Sequence, residues 1–122
     1  MEKWMALVAM TMALSGNALA HGEKPAHGGV VSAANDMSFE LVNKNGKAIV
    51  YVHDHGKPVD TAGATGKLTV LNGTKKTEMS LEAAGSNTLA TKEDANLAKG
   101  SKAIAAVTFA DKKVVNVRFS IK

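Results

Sequence analysis

Tyr51-Val52-His53-Asp54-His55-Gly56-Lys57-Pro58-Val59 reads as an apolar strand running into a tight turn. Successive strand side chains point to opposite faces, so Val50 and Val52 share one face and Tyr51 and His53 the other, joined by His55 if the strand persists that far. Asp54 is suited to bonding the local backbone, Gly56 accepts positive φ, and Pro58 restarts the chain in an extended conformation. The turn accounts for every residue of the stretch except the two imidazoles. These are half of the four histidines in the chain, and at a spacing of i, i+2 on one face they can reach a single metal ion.

Upstream, Lys47 to His53 supplies the strand and Asn43-Lys44-Asn45-Gly46 the preceding turn, while Met37-Ser38-Phe39-Glu40-Leu41-Val42 alternates with Met37, Phe39 and Leu41 on one face. A first strand follows the arm at Val30-Val31-Ser32. Downstream, 60–66 is a small, polar connection. Lys67-Leu68-Thr69-Val70-Leu71 resumes strand character, Asn72-Gly73 is a hairpin signal, and Thr77 to Leu81 alternates with Met79 and Leu81 inward. Leu89 anchors a short strand, and 92–99 reads as a loop or a single turn. Lys102 to Phe109 and Val114 to Ile121 form a closing hairpin across Asp111-Lys112, with Val115, Val117, Phe119 and Ile121 inward. Strands at intervals of about ten residues predict an all-β domain, an antiparallel immunoglobulin-like β-sandwich of about seven strands over 30–122. Its alanine-rich strands predict a lightly filled core. Met37, Met79, Phe39, Phe109 and Phe119 are read as core.

The first twenty residues are set apart. A short n-region with Lys3, an apolar run from Met5 to Leu14 and the small-residue pattern Ala18-Leu19-Ala20 resemble a secretory signal peptide. The run is too short to span a bilayer comfortably, so the expectation is cleavage after Ala20, export to a bacterial periplasm and no membrane span in the mature protein, with a transmembrane anchor as the alternative. The residues that follow, 21–29, carry glycine, proline and charge without apolar periodicity, and read as a flexible arm.

The 122 residues include no cysteine, which excludes disulfides and thiolate metal sites. Removal of Glu2 and Lys3 with the signal leaves the net charge at +4. That basicity is dispersed over lysines and accompanied by few aromatics, which argues against nucleic-acid binding. No serine sits in G-x-S-x-G, and the carboxylates Glu78, Glu82 and Asp94 read as surface, so no enzymatic activity is expected.

The histidines form two groups, His21 and His27 on the arm, His53 and His55 at the hairpin. At a mature N-terminus, the amine and imidazole of His21 would together suit Cu(II). Imidazole and amine donors suit Cu(II), Zn(II) and Ni(II), and the absence of cysteine with both mature methionines in the core disfavours Cu(I). A site built from the arm and the hairpin takes His53 and His55 as main ligands with His21 or His27, and Asp54 or water completing it. Asp54 is the weakest of these, since alternation aims it away from the two hairpin histidines. The competing account is a polar leader and an exposed turn that need no ligand.

His27-Gly28-Gly29-Val30-Val31, Phe39-Glu40-Leu41-Val42, the hairpin stretch from Tyr51 to Val59 and Val117-Arg118-Phe119 together resemble small periplasmic proteins associated with heavy-metal efflux and resistance. They are also similar to a β-domain of the periplasmic adaptor subunits of heavy-metal efflux pumps. The resemblance implies a periplasmic domain that binds or passes on a divalent metal, with His27, Asp54 and His55 at matched positions; His21 and His53 lie outside the pattern. The long helical hairpin and lipoyl-like parts of an adaptor have no counterpart in this sequence. The functional expectation is a periplasmic buffer or chaperone for Cu(II) or Zn(II), with an efflux component as possible partner. The alternative is a metal-independent, Ig-like interaction module of such a system that adds an edge strand or presents a face to an efflux component, with the histidines incidental. A copper oxidase on His21 would need a second fixed histidine, which the Gly22-to-Pro25 leader does not supply.

Overall fold

The computed structural model describes residues 24–122. Nine antiparallel strands make up the fold: β1 (Val30–Ala34), β2 (Met37–Lys44), β3 (Lys47–Asp54), β4 (Lys57–Pro58), β5 (Thr65–Asn72), β6 (Lys75–Ala83), β7 (Thr88–Ala90), β8 (Lys102–Thr108) and β9 (Val114–Ser120). The alternation read from the sequence produces them directly. Phe39 and Leu41 of β2, Val50 and Val52 of β3, Leu68 and Val70 of β5, Met79 and Leu81 of β6, and Val115, Val117 and Phe119 of β9 turn to a common interior. Met37 and Phe109 are only partly buried and pack at its edge. Leu89 and Val107, with five alanines, Ala48, Ala64, Ala95, Ala103 and Ala105, complete the core, so part of its wall is only methyl groups.

Hydrogen bonding follows one path, β1-β2-β3-β7-β6-β5-β8-β9, with β4 paired to β3 beside it. The strands therefore form one barrel-like sheet, not two sheets paired separately, and the element responsible is β7. Its three residues pair with 49–51 of β3 on one side, and two of them, Leu89 and Ala90, pair with Ala83 and Glu82 of β6 on the other. Without it the chain would divide into β1-β2-β3 and β6-β5-β8-β9, the two layers a sandwich requires. A strand this short gives too little alternation to be read as a bridge. The count exceeds seven for a related reason, because β4 is only Lys57 and Pro58, held opposite Asp54 and His53 by the hairpin turn. The polar connection and the 92–99 segment contain no helix.

Buried hydroxyls fix the loops to this frame. Thr61, fully buried, donates from Oγ1 to the carbonyl of Thr88 at 2.7 Å. Thr91 Oγ1 accepts from the Ala48 N–H at 3.0 Å and donates to the Glu93 carbonyl. The ends of the path, β1 and β9, lie within 8 Å of each other, Cα to Cα, without sheet hydrogen bonds between them. No helix of the described residues is long and apolar enough to cross a membrane.

Candidate functional site

Ala26, His27 and Gly29 of the arm reach Glu40 on the outer face of β2, and the His27 ring reaches Tyr51 of β3. Strand alternation points this carboxylate away from the core, between Phe39 and Leu41, yet it is only 4 % exposed. Three backbone N–H groups of the arm converge on it. Ala26 donates to Oε1 at 3.2 Å, and His27 and Gly29 both donate to Oε2 at 2.9 Å. Such a concave run of amides is an anion cradle, here filled by a side chain of the same protein. The two glycines make it possible. Gly28 adopts φ +77°, and a Cβ on Gly29 would run into the Leu41 carbonyl.

The His27 side chain completes the cradle, with Nδ1 3.0 Å from Glu40 Oε1. Its ring stacks on Tyr51, the centroids 3.7 Å apart and the planes 5° from parallel. Glu40 and Tyr51 are direct cross-strand partners of β2 and β3, so neighbouring positions of one face hold the imidazole by its edge and by its plane. Burial pushes the Glu40 carboxyl upward, but the hydrogen bonds from the His27 ring and from the Gly29 and His27 amides, with the charge of His27, outweigh it and hold the group below the usual glutamate range. An ionised carboxylate can only accept, which places the ring proton on Nδ1 and leaves the Nε2 lone pair available in the neutral imidazole. Nε2 has no hydrogen-bond partner among the described residues, and the side chain is 40 % exposed.

His53 is two positions beyond Tyr51 on the same face, about 7 Å along the strand. It is flanked by Ser38 of β2 and Pro58 of β4 and half-buried. His55 does not join it. The strand stops at Asp54, and His55 and Gly56, with φ of 54° and 84°, are the two central residues of the turn into β4. Positive φ at both positions is the twist-matched hairpin geometry. His55 Nδ1 instead meets Asp54 Oδ1 at 2.6 Å, both side chains largely in solvent. The shared strand face expected for His53 and His55 is therefore absent, and Asp54 is engaged with His55. His21 lies outside the described residues. Among the described residues no cluster of three or more histidine, aspartate or glutamate side chains could hold a metal ion.

Two participants escaped the sequence reading. Glu40 appears as an ordinary outward strand residue, and Tyr51 as a neighbour of the hairpin histidines, whereas the ring it stacks on belongs to the arm. The available signal was the pair Gly28-Gly29 after His27, which lets a backbone approach a strand closely. Comparison with protein-family models, curated proteins and solved structures finds no match.

Proposed function

We propose that the protein binds a divalent metal ion in the periplasm through histidine, as a buffer or chaperone linked to heavy-metal efflux or resistance. His27 is the leading ligand and His53 the next donor on the same face. One observation carries this reading: Glu40 fixes Nδ1 of His27, Tyr51 fixes the plane of its ring, and Nε2 is left without a partner among the described residues. Metal-ligating histidines characteristically donate their other ring N–H to a carboxylate, which sets the tautomer, orients the ring and raises its basicity. Imidazole nitrogen suits Cu(II) and Zn(II). A site with only two donors on the described face keeps coordination positions open to water or to another molecule's ligand, which suits an ion that is handed on better than one held as a structural clamp. The signal-like first twenty residues and the resemblance to efflux-associated proteins support the location and the link to efflux.

The test is calorimetric titration of the exported protein, its N-terminus verified by mass spectrometry, with Cu(II), Zn(II) and Ni(II). His27→Ala is expected to weaken binding at least tenfold, and binding is expected to weaken as pH falls through about 6.5, where free imidazole titrates. Heats unchanged by His27→Ala, or an affinity flat between neutral and mildly acidic pH, would overturn the reading.

A further inference from the structure

Among the described residues five polar side chains are buried: Ser38, Glu40, Thr61, Thr91 and Ser101. Four of them have hydrogen-bond partners within the protein. Glu40 accepts from the arm, Thr61 donates to the Thr88 carbonyl, Thr91 joins Ala48 to Glu93, and Ser101 Oγ donates to the Ala98 carbonyl at 2.6 Å. Ser38 is the exception. It is only 9 % exposed, and its hydroxyl has no partner among the described residues. Native proteins pair nearly all such groups, so a buried hydroxyl without a protein partner points to one of another kind.

The hydroxyl lies beside the histidines. Alternation turns Ser38 outward with Glu40, while Phe39 between them is in the core. Two rows of residues cross this outer face. Val31, Glu40 and Tyr51 form one, with the His27 ring seated on it. Ala33, Ser38, His53 and Pro58 form the next, about 7 Å away along the strands. Ser38 and His53 are direct cross-strand partners, a relation that sets Cβ atoms about 5 Å apart. No hydrogen bond joins the hydroxyl to the imidazole, and the half-buried His53 ring has no partner among the described residues. Adjacent rows of one face therefore carry three unpaired polar groups, Nε2 of His27, the His53 ring and the Ser38 hydroxyl.

A neutral hydroxyl is a weaker ligand for Cu(II) or Zn(II) than imidazole, but it suits a water molecule bound to such an ion. The cation lowers the pKa of that water and makes it a strong donor, and a serine oxygen accepts while its own proton turns to suit. Two histidines leave coordination positions for water. We propose, resting on the metal reading above, that Ser38 is a positioning residue of the histidine site. Its hydroxyl accepts a hydrogen bond from a water in the coordination shell of an ion held by His27 and His53.

The test compares the wild-type exported protein with Ser38→Ala, Ser38→Thr and His27→Ala, using Zn(II) and Cu(II) as probes. Without metal, Ser38→Ala is expected to unfold at a urea midpoint equal to or above wild type, because the hydroxyl it removes has no protein partner. By calorimetry it is expected to bind Zn(II) about tenfold more weakly, the usual effect of losing an outer-shell partner. Ser38→Thr keeps the hydroxyl and is expected to stay close to wild type. In the Cu(II) protein, pulsed electron paramagnetic resonance in light and heavy water separates exchangeable water protons from imidazole nitrogens. Ser38→Ala is expected to change the proton couplings and to leave the nitrogen couplings as they are. A lowered midpoint for metal-free Ser38→Ala, or unchanged affinity and proton couplings, would overturn the proposal. The metal reading would still stand if His27→Ala abolished binding. Weaker binding with unchanged proton couplings would also overturn it, because Ser38 would then act through packing. Absence of Zn(II) and Cu(II) binding in the wild-type protein would overturn the metal reading and the role of Ser38 together.

Discussion

Glu40 and His27, thirteen residues apart in the chain, are joined twice, through the His27 ring at 3.0 Å and through its backbone N–H at 2.9 Å. The double link makes one carboxylate both the anchor of the arm and the partner that orients the imidazole. Its consequences for stability and for metal binding can be separated by experiment.

Glu40→Ala removes the acceptor of three arm amides and of the His27 ring. Leaving such donors without partners costs about 1–3 kcal/mol, an amount that a urea unfolding curve resolves. The same variant is expected to speed amide exchange at Ala26, His27 and Gly29 and to open the arm to proteolysis. An unchanged unfolding midpoint with unchanged exchange at those amides would show that the cradle contributes nothing to the fold.

The pH dependence follows from the direction in which Glu40 is shifted. Its carboxyl titrates lower in the folded protein than in the unfolded chain, so the native state favours the ionised form. The stabilisation is fully present above the unfolded value of about 4.3 and is lost as pH falls through the lower folded value. Glu40→Gln is expected to flatten that part of the profile. Unfolding midpoints measured at intervals between pH 6 and pH 3 for both proteins check it, and parallel profiles would assign the acid sensitivity to other carboxylates.

Gly28 and Gly29 are expected to respond differently to alanine. At Gly28 nothing lies within 4 Å of the added methyl, and the cost is that of positive φ alone, about 1–2 kcal/mol. At Gly29 the methyl meets the Leu41 carbonyl and the Val42 side chain, so β2 or the arm must move. Gly29→Ala is expected to be the more destabilising of the two and to weaken the His27 contact, read as a change in the His27 ring resonances. A Gly29→Ala protein with wild-type resonances and stability would show that the arm re-seats without loss.

Most strands were legible because period-2 alternation is a local property. Phe39 and Leu41, Met79 and Leu81, and Val115, Val117 and Phe119 declare their inward face within a few residues. What joins those strands into one sheet was not legible, since β7 has three residues and its role depends on two partners distant in sequence. The site was legible in its residue types and misread in its grouping. Histidines close in sequence, His53 and His55, are separated by the positive φ of the turn, while His27 and Tyr51 meet across twenty-four positions because Glu40 seats the arm. Alternation assigns Glu40 to solvent correctly as far as the strand goes; its burial comes from the arm, which has no periodicity to announce where it lies.

The turn offers a final discrimination between the two histidine groups. His55 holds φ at 54° ahead of Gly56, a conformation that asparagine adopts more readily and that Asn-Gly turns use routinely. His55→Asn removes the contact to Asp54, but that pair is largely in solvent and is worth about 0–1 kcal/mol. Relief of the backbone cost is of similar size, so the variant is expected to match or exceed wild-type stability by up to about 1 kcal/mol. If His27 leads the metal site, His55→Asn also leaves Cu(II) and Zn(II) affinity unchanged while His27→Ala lowers it. Loss of binding in a stable His55→Asn protein would place the ion at the hairpin tip, and the arm would then be an anchor only.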